Sequence, residues 1–215
     1  MRLITVFSAI FSLSFAYAAT PSAPTAPVEV NDLTFAIPMV PKNEQDLLAK
    51  AHNFLSNIKT LKGKFIQVTT SPNGMTESRT GSLKWLRPGY VRFDYEGQPL
   101  LQVASDGESF RQKDEDGVSL PIAIESTPAG LILKNTVDFK RDAVIKHVVQ
   151  KDGFALITLA TKEDPEGATL TLIFKVTPFH LAQWTTIDTA GFITDVILMD
   201  IQLNTPMKKS EFDLK

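Results

Sequence analysis

The stretch from Gly81 to Gly107 constrains the fold more than any other part of the sequence. Apolar and polar side chains alternate along it, which is typical of strands with one covered face. Tight-turn signals at Arg87-Pro88-Gly89 and Asp106-Gly107 divide it into short strands. The side chains on the covered face are Leu83, Trp85 and Arg87 before the first turn and Val91, Phe93 and Tyr95 after it. A sheet face of this kind must be covered by a core, a partner or an apolar ligand.

The rest of the chain supplies mostly strands. Apolar residues at helical spacing predict one amphipathic helix that begins at Asn43 and ends near Gly63. The segment Ser126–Lys134, with Pro128 at the predicted first helical position, predicts a second, short helix. The predicted strands are 64–70, 75–86, 90–95, 100–105, 109–113, 143–150, 154–161, 168–176, 181–188 and 192–203. These about ten to eleven strands predict a mainly β, α+β domain over residues 43–215, built on one curved antiparallel sheet or barrel.

The N-terminal residues predict export. A basic start, an apolar run from Ile4 to Phe15 and the small-residue pattern Ala16-Tyr17-Ala18 are typical of a signal peptide cleaved near Ala18. A Pro-rich extended leader is predicted for residues 19–42. The sequence contains no cysteine, so disulfides and lipid attachment through cysteine are excluded. We therefore expect a soluble periplasmic protein that is stabilised by its own core.

Charge and motifs exclude several classes of function. The formal net charge is −2, from 22 basic and 24 acidic residues, which favours neither a nucleic acid nor an anionic membrane as partner. None of the three histidines, His52, His147 and His180, lies at a useful ligand spacing from another metal-type ligand, so we expect no metal site. A nucleophile elbow and a phosphate-binding glycine loop are both missing, so the sequence names no catalytic residue, no cofactor and no enzymatic activity.

Periodicity leaves two interpretations of the covered face open. In the first, these side chains form an ordinary packed core. In the second, they line a cavity under the helices, which the small amount of predicted helix favours. The candidate lining residues are Phe65, Leu83, Trp85, Val91, Phe93, Tyr95, Leu101, Val103, Leu170, Leu172, Phe174 and Val176.

A set of short motifs, in order along the chain, resembles a known family. The motifs are Phe65-x-Gln67, Gly81-x-Leu83, Arg87-Pro88-Gly89, Arg92-Phe93-x-Tyr95, Asp106-Gly107, Thr127-Pro128 with Leu131 and Leu133, Gly191, and Glu211-Phe212-Asp213. In this order and spacing the sequence resembles the periplasmic outer-membrane lipoprotein carriers, the LolA-like proteins. The resemblance implies an incomplete antiparallel barrel with helices over its open side.

The resemblance also implies a function without covalent chemistry. Lipoprotein acyl chains would be received from an inner-membrane ABC transporter, held in the cavity of a monomer and passed to an outer-membrane acceptor. Leu131, Ile132 and Leu133 would line a lid helix, and Arg87 would hold the lid closed when the carrier is empty. Arg87 also ends the row of Leu83 and Trp85, which places it at the mouth of such a cavity. In the alternative interpretation, Arg87 only ends the strand and its side chain lies in solvent.

Three other functions remain open from the sequence. A soluble lipid-binding or lipoprotein-sensing domain of the same fold would bind acyl chains without shuttling them. A hydrolase would require a catalytic group that the sequence does not nominate. A purely structural β domain would have a filled interior that binds no fatty acid.

Overall fold

The computed structural model describes residues 42–135 and 137–214. The signal peptide and leader predicted before residue 42 lie outside the described residues. Helix α1 spans Lys42–Asn57, so Lys42 belongs to this helix and not to the leader. Two single-turn helices, α2 (Gly130–Leu133) and α3 (Phe139–Asp142), lie in the middle of the chain. None of the helices in the described part is long and apolar enough to cross a membrane.

Twelve strands form one open antiparallel sheet. They are β1 (Thr60–Thr70), β2 (Thr76–Leu86), β3 (Tyr90–Tyr95), β4 (Gln102–Asp106), β5 (Ser109–Asp114), β6 (Gly117–Val118), β7 (Ile122–Ala123), β8 (Ala143–Lys151), β9 (Phe154–Thr161), β10 (Thr169–Val176), β11 (Phe179–Ile187) and β12 (Ile193–Leu203). The order is β6-β5-β4-β3-β2-β1-β12-β11-β10-β9-β8, with β7 beside β5. Two meanders thus meet where β1 pairs with β12, and the mainly β architecture predicted from periodicity is confirmed.

Short turns account for this order, because they force consecutive strands to be antiparallel neighbours. In the predicted turn between β1 and β2, the Gly74 N–H donates to the Ser71 carbonyl at 2.8 Å, and the Ser71 N–H donates to the Met75 carbonyl at 2.8 Å. Helix α1 then crosses the inner face of the sheet and inserts Phe54 edge-on against Phe174 of β10, with ring centroids 5.8 Å apart.

The predicted end of the first helix is wrong. The helix ends at Asn57, and β1 begins at Thr60, so Ile58 and Leu61 continue the apolar stripe without being helical. Gly63 stops no helix, because it lies within β1 at a shift in the pairing with β12. A Cβ atom on Gly63 would lie 2.7 Å from the Met199 carbonyl oxygen, so the residue permits a close approach of two strands.

The predicted short helix also begins later than expected. Pro128 lies in a turn before α2, and the helix starts at Gly130. Here α2 packs against a 3-10 turn, Ile124–Ser126, and a Cβ on Gly130 would lie 2.9 Å from the Ile124 carbonyl oxygen. The elements β6, β7 and α3 were not predicted, because two-residue strands and a single helical turn are too short to show a period.

The C-terminal residues cover the outer face of β2–β4. The 3-10 turn Lys209–Phe212 buries Phe212 against Tyr90, with ring centroids 5.7 Å apart. Lys84 Nζ lies 2.9 Å from the Glu211 carboxylate, and Arg92 Nη1 donates to the Asp213 carbonyl at 2.7 Å. The Lys208 backbone N–H and the Lys84 ammonium hold the pKa of the Glu211 carboxyl below its usual value. This turn therefore supports the strands on both sides of Arg87-Pro88-Gly89.

Removal of the Phe212 ring is expected to destabilise the domain. Phe212→Ala should lower the free energy of unfolding by about 3 kcal/mol, because a buried ring is lost and a cavity remains. Chemical denaturation measures the change. Phe154→Ala is the matched control, since Phe154 is 38% exposed and should contribute less than about 1 kcal/mol. Equal losses for the two variants would contradict the packing role of the C-terminal turn.

Candidate functional site

The predicted lining residues all lie on the inner face of the sheet. Eleven of them, defined here as the inner wall, are at most 8% exposed: Phe65, Leu83, Trp85, Val91, Phe93, Tyr95, Leu101, Val103, Leu170, Leu172 and Phe174. Val176 is partly buried against the same cluster. Strand register explains the convergence, because Leu83 pairs with Phe93 and Phe93 with Val103, and directly opposed side chains point to one face.

Aromatic contacts join the two halves of the inner wall. The Phe65 ring meets Phe93 edge-on at 5.3 Å, and Phe93 meets Trp184 of β11 at 6.3 Å. Trp184 faces the interior but was not among the predicted residues. Strict alternation from Leu181 would place Trp184 on the outer face, and a shift in the β10–β11 register between Ile173 and Phe174 brings both residues to the inner face.

Helices close the interior in this conformation. Leu131, Ile132 and Leu133 of α2 are at most 5% exposed and belong to the same apolar cluster as the inner wall. Phe139 of α3, which the sequence analysis did not identify, is buried there as well. A ligand could reach the inner wall only if these helices moved. The packing is therefore compatible both with a permanent core and with a cavity that closes when empty.

Arg87 joins the end of β2 to the end of α2. Its Nη1 donates a hydrogen bond to the carbonyl of Lys134, directly after the helix, and we define this pair as the latch contact. The guanidinium also lies over the Trp85 ring, 5.0 Å from its centroid. Two residues later, the Gly89 N–H donates to the Leu133 carbonyl at 2.9 Å. The β2–β3 turn thus supplies donors to the carbonyl groups that the last turn of α2 leaves unpaired.

The Arg87 guanidinium is incompletely satisfied. Its Nε and Nη2 are buried and have no hydrogen-bond partner among residues 42–135 and 137–214. Burial lowers the pKa of Arg87 to about 10. The side chain therefore remains charged at neutral pH in a poorly solvated position, which opposes the closed conformation. Arg87 is half-buried, so the alternative of a strand end in solvent does not describe it.

A cavity lies beside the latch contact. It measures about 330 Å³ and is lined by Gly89 and Gly107 on the sheet side and by Gly130, Leu133 and Lys134 on the α2 side. A second groove, of about 390 Å³, separates α1 from α3 and is lined by Leu48, His52, Phe139 and Ile145. Both grooves border the helices that cover the inner wall.

A family model described as Outer membrane lipoprotein carrier protein LolA matches residues 56–215. The chain belongs to this family. The resemblance inferred from the motifs is thereby confirmed, and the match covers the latch contact, the inner wall and all twelve strands.

Curated relatives carry the same description. A protein from Methylobacillus flagellatus named outer-membrane lipoprotein carrier protein is 28% identical over 166 residues, which cover 74% of this chain and 80% of the relative. A protein of the same name from Dechloromonas aromatica is 30% identical over 123 residues, covering 54% of this chain and 58% of the relative.

Among solved structures, a LolA superfamily protein from Nitrosomonas europaea has a TM-score of 0.47 at 11% identity, covering 80% of this chain and 97% of that chain. MucB has a TM-score of 0.41 at 11% identity, covering 81% and 64%.

No cluster of three or more metal-type ligands occurs in the part of the chain that the structure describes. His180 Nδ1 lies 2.7 Å from the Pro178 carbonyl oxygen, within its own turn. His52 lines the groove between α1 and α3, and His147 pairs with Thr158 in the β8–β9 register. The three histidines therefore lie apart on different elements.

Proposed function

We propose that this protein is a periplasmic carrier that holds the acyl chains of lipoproteins against the inner wall and moves them from the inner to the outer membrane. Membership of the LolA family supports the carrier role, and the inner wall supplies an apolar surface of the required kind. The observation that carries the proposal is the latch contact, because it joins the sheet to the helix that covers the inner wall.

The size of the hydrophobic effect explains why such a carrier needs a closed interior. Each methylene group exposed to water costs about 0.8 kcal/mol, so an acyl chain of about fifteen methylenes costs roughly 12 kcal/mol in an aqueous compartment. When the helices open, the acyl chains replace the helix side chains against the inner wall, and the inner wall then removes the acyl surface from water. In the empty state, Leu131, Ile132 and Leu133 take the place of the ligand.

The latch contact fits a carrier that must also release its cargo. One charge-assisted hydrogen bond holds the closed state, whereas the buried and unpaired Nε and Nη2 of Arg87 oppose it. The two states then differ by only a few kcal/mol, which a ligand can overcome by its differential affinity. Acyl chains beside Arg87 would meet an unpaired charge, and this favours their departure.

The proposal includes the partners that such a route requires. An inner-membrane ABC transporter would deliver the lipoprotein, and an outer-membrane acceptor would receive it. The interior is contained within one chain, so a monomer suffices for binding. Binding and release of acyl chains require neither a cofactor nor a catalytic residue.

The cargo of the protein purified from a native periplasm tests the proposal. Mass spectrometry is expected to identify acylated lipoproteins in complex with it, and the purified protein should remove lipoproteins from inner membranes that contain the transporter. Leu101→Asp should reduce the bound lipoprotein at least about tenfold, because a carboxylate would lie on the inner wall where the acyl chains bind. Leu120→Asp is the matched control, because Leu120 is 84% exposed.

Two results would contradict the proposal. Binding of lipoprotein without removal from membranes would identify a sensor of the same fold. A protein that binds neither lipoprotein nor a fluorescent fatty acid would have a permanently filled core.

A further inference from the structure

The inner face changes from apolar to polar at one end. Beyond Phe65 on β1, the next two inward residues are Gln67 and Thr69. In the strand register Gln67 pairs with Arg79 of β2, Thr69 pairs with Thr194 of β12, and Thr194 pairs with Thr186 of β11. Opposed residues of antiparallel strands point to the same face, so these five side chains form one patch, named here the polar cluster.

Tyr95 connects the polar cluster to the inner wall. Its ring packs edge-on against Phe65 with centroids 5.1 Å apart. Its hydroxyl donates to Gln67 Oε1 at 2.7 Å. The apolar interior and the polar cluster are therefore contiguous, and one side chain belongs to both.

The polar cluster has more hydrogen-bond donors than acceptors. The hydroxyl groups of Thr186 and Thr194, at 0% and 1% exposure, have no partner among the residues that the structure describes. Gln67 Nε2 makes a single long bond, at 3.3 Å, to Thr69 Oγ1. Arg79 uses Nε to bind Glu77 at 2.7 Å, and its side chain is 24% exposed, so its terminal nitrogens face the groove and are open to solvent.

These unpaired donors point to an absent acceptor. A buried hydroxyl without a partner destabilises a protein, and valine has nearly the same shape as threonine without that penalty. Two such threonines side by side in an otherwise apolar row are explained when another molecule accepts their hydrogen bonds. Because Glu77 neutralises Arg79, the polar cluster suits neutral acceptors such as carbonyl groups better than a phosphate.

An open groove reaches the polar cluster from solvent. It measures about 540 Å³ and is lined by Gln67, Thr69, Glu77 and Arg79 together with the apolar side chains of Pro72, Met75 and Phe192. The buried Thr186 and Thr194 adjoin these residues in the strand register but do not line the groove themselves. A ligand with its chains on the inner wall could therefore leave its head group in this groove.

We propose that the polar cluster is a head-group subsite that binds the ester or amide carbonyl groups where acyl chains join their glyceryl or amino group. This inference rests on the proposed function and extends it, because it adds recognition of the acyl linkage to burial of the chains. The acylated N-terminus of a lipoprotein and a neutral glycerolipid share this chemistry.

Two lipids that differ only in their carbonyl groups test the subsite. Dioctanoylglycerol (a diester) and dioctylglycerol (the matching diether) would each displace a fluorescent fatty acid from the purified protein. The wild type is expected to bind the diester about tenfold more tightly, as for two hydrogen bonds. In the double variant Thr186→Val/Thr194→Val, the ratio of the affinity for the diester to the affinity for the diether should fall close to one. Thr171→Val is the control on the outer face, where the Thr171 hydroxyl lies 2.9 Å from that of Thr158, and should keep the ratio.

Each result supports or overturns the subsite. Equal affinity of the wild type for the diester and the diether would overturn it, as would an unchanged ratio in the double variant. If that variant failed to fold, Arg79→Met would replace it, with the same expected fall in the ratio. Failure of both the diester and the diether to bind the wild type would instead contradict the proposed function, since both lipids carry two apolar chains. A diacylated lipopeptide of equal chain length identifies the source of the carbonyl groups: tighter binding than the diester supports a lipoprotein at the subsite, and weaker binding supports a glycerolipid.

Discussion

Replacement of Arg87 by leucine is expected to separate binding from delivery. Arg87→Leu should fold and bind acylated lipoprotein, but its release to acceptor membranes should slow by at least about tenfold. The variant loses the hydrogen bond to the Lys134 carbonyl, which stabilises the empty closed state. It also replaces a poorly solvated charge by an apolar side chain that would contact the acyl chains favourably. The lost hydrogen bond and the new apolar contact favour the loaded state more than the removal of the unpaired charge favours the closed one, and a time course of transfer measures the net effect.

A matched arginine provides the control for Arg87. Arg111 lies on β5, is exposed and is remote from the latch contact, so Arg111→Leu should deliver its cargo at the wild-type rate. Normal delivery by Arg87→Leu would show that the latch contact does not regulate release, although the inner wall could still bind acyl chains.

Substitution of Gly89 is expected to have the largest effect on stability. Gly89 adopts a φ of +76°, and an added Cβ would lie 2.5 Å from the Gly107 carbonyl oxygen and 2.8 Å from its Cα. Both atoms belong to the main chain and cannot rotate away, so the β2–β3 turn would have to move. Since the Gly89 N–H also donates to Leu133, Gly89→Ala should lower the free energy of unfolding by about 3 kcal/mol or more. Denaturant unfolding measures the loss.

Gly74 is the matched control for this substitution. Its φ of +84° is nearly the same, but no atom lies within 4 Å of an added Cβ. Gly74→Ala should therefore lower the free energy of unfolding by only about 1 kcal/mol, which is the cost of placing an alanine at a positive φ. Similar losses of unfolding free energy at the two positions would show that the close approach of Gly107 and the attachment of α2 to this turn contribute little to stability.

The inner wall could be predicted because it depends on a local regularity. Leu83, Trp85, Val91, Phe93 and Tyr95 alternate with polar residues, and the pleat of a strand converts that alternation directly into a common face. Turn signals between the strands then specify antiparallel neighbours, so most strand limits were predicted within about two residues, as boundaries usually are.

The errors arose where distant segments decide the local structure. The apolar stripe of α1 continues through Ile58 and Leu61, and pairing of β1 with β2 and β12 makes Leu61 a strand residue. The polar cluster has the same origin. Gln67, Arg79, Thr186 and Thr194 lie on four strands, so their common face depends on the register of the pairs between them.

The sequence by itself determined the mainly β class, the inner wall and the position of Arg87 at its end, because alternation and turn chemistry act over a few residues. Its motifs also sufficed for the family resemblance. Only the tertiary structure decided that Arg87 donates to the carbonyl of Lys134, that α2 and α3 close the interior, and which hydroxyl groups remain unpaired inside it. These features depend on contacts between segments far apart in the chain, and their geometry is set by the packing of the whole sheet.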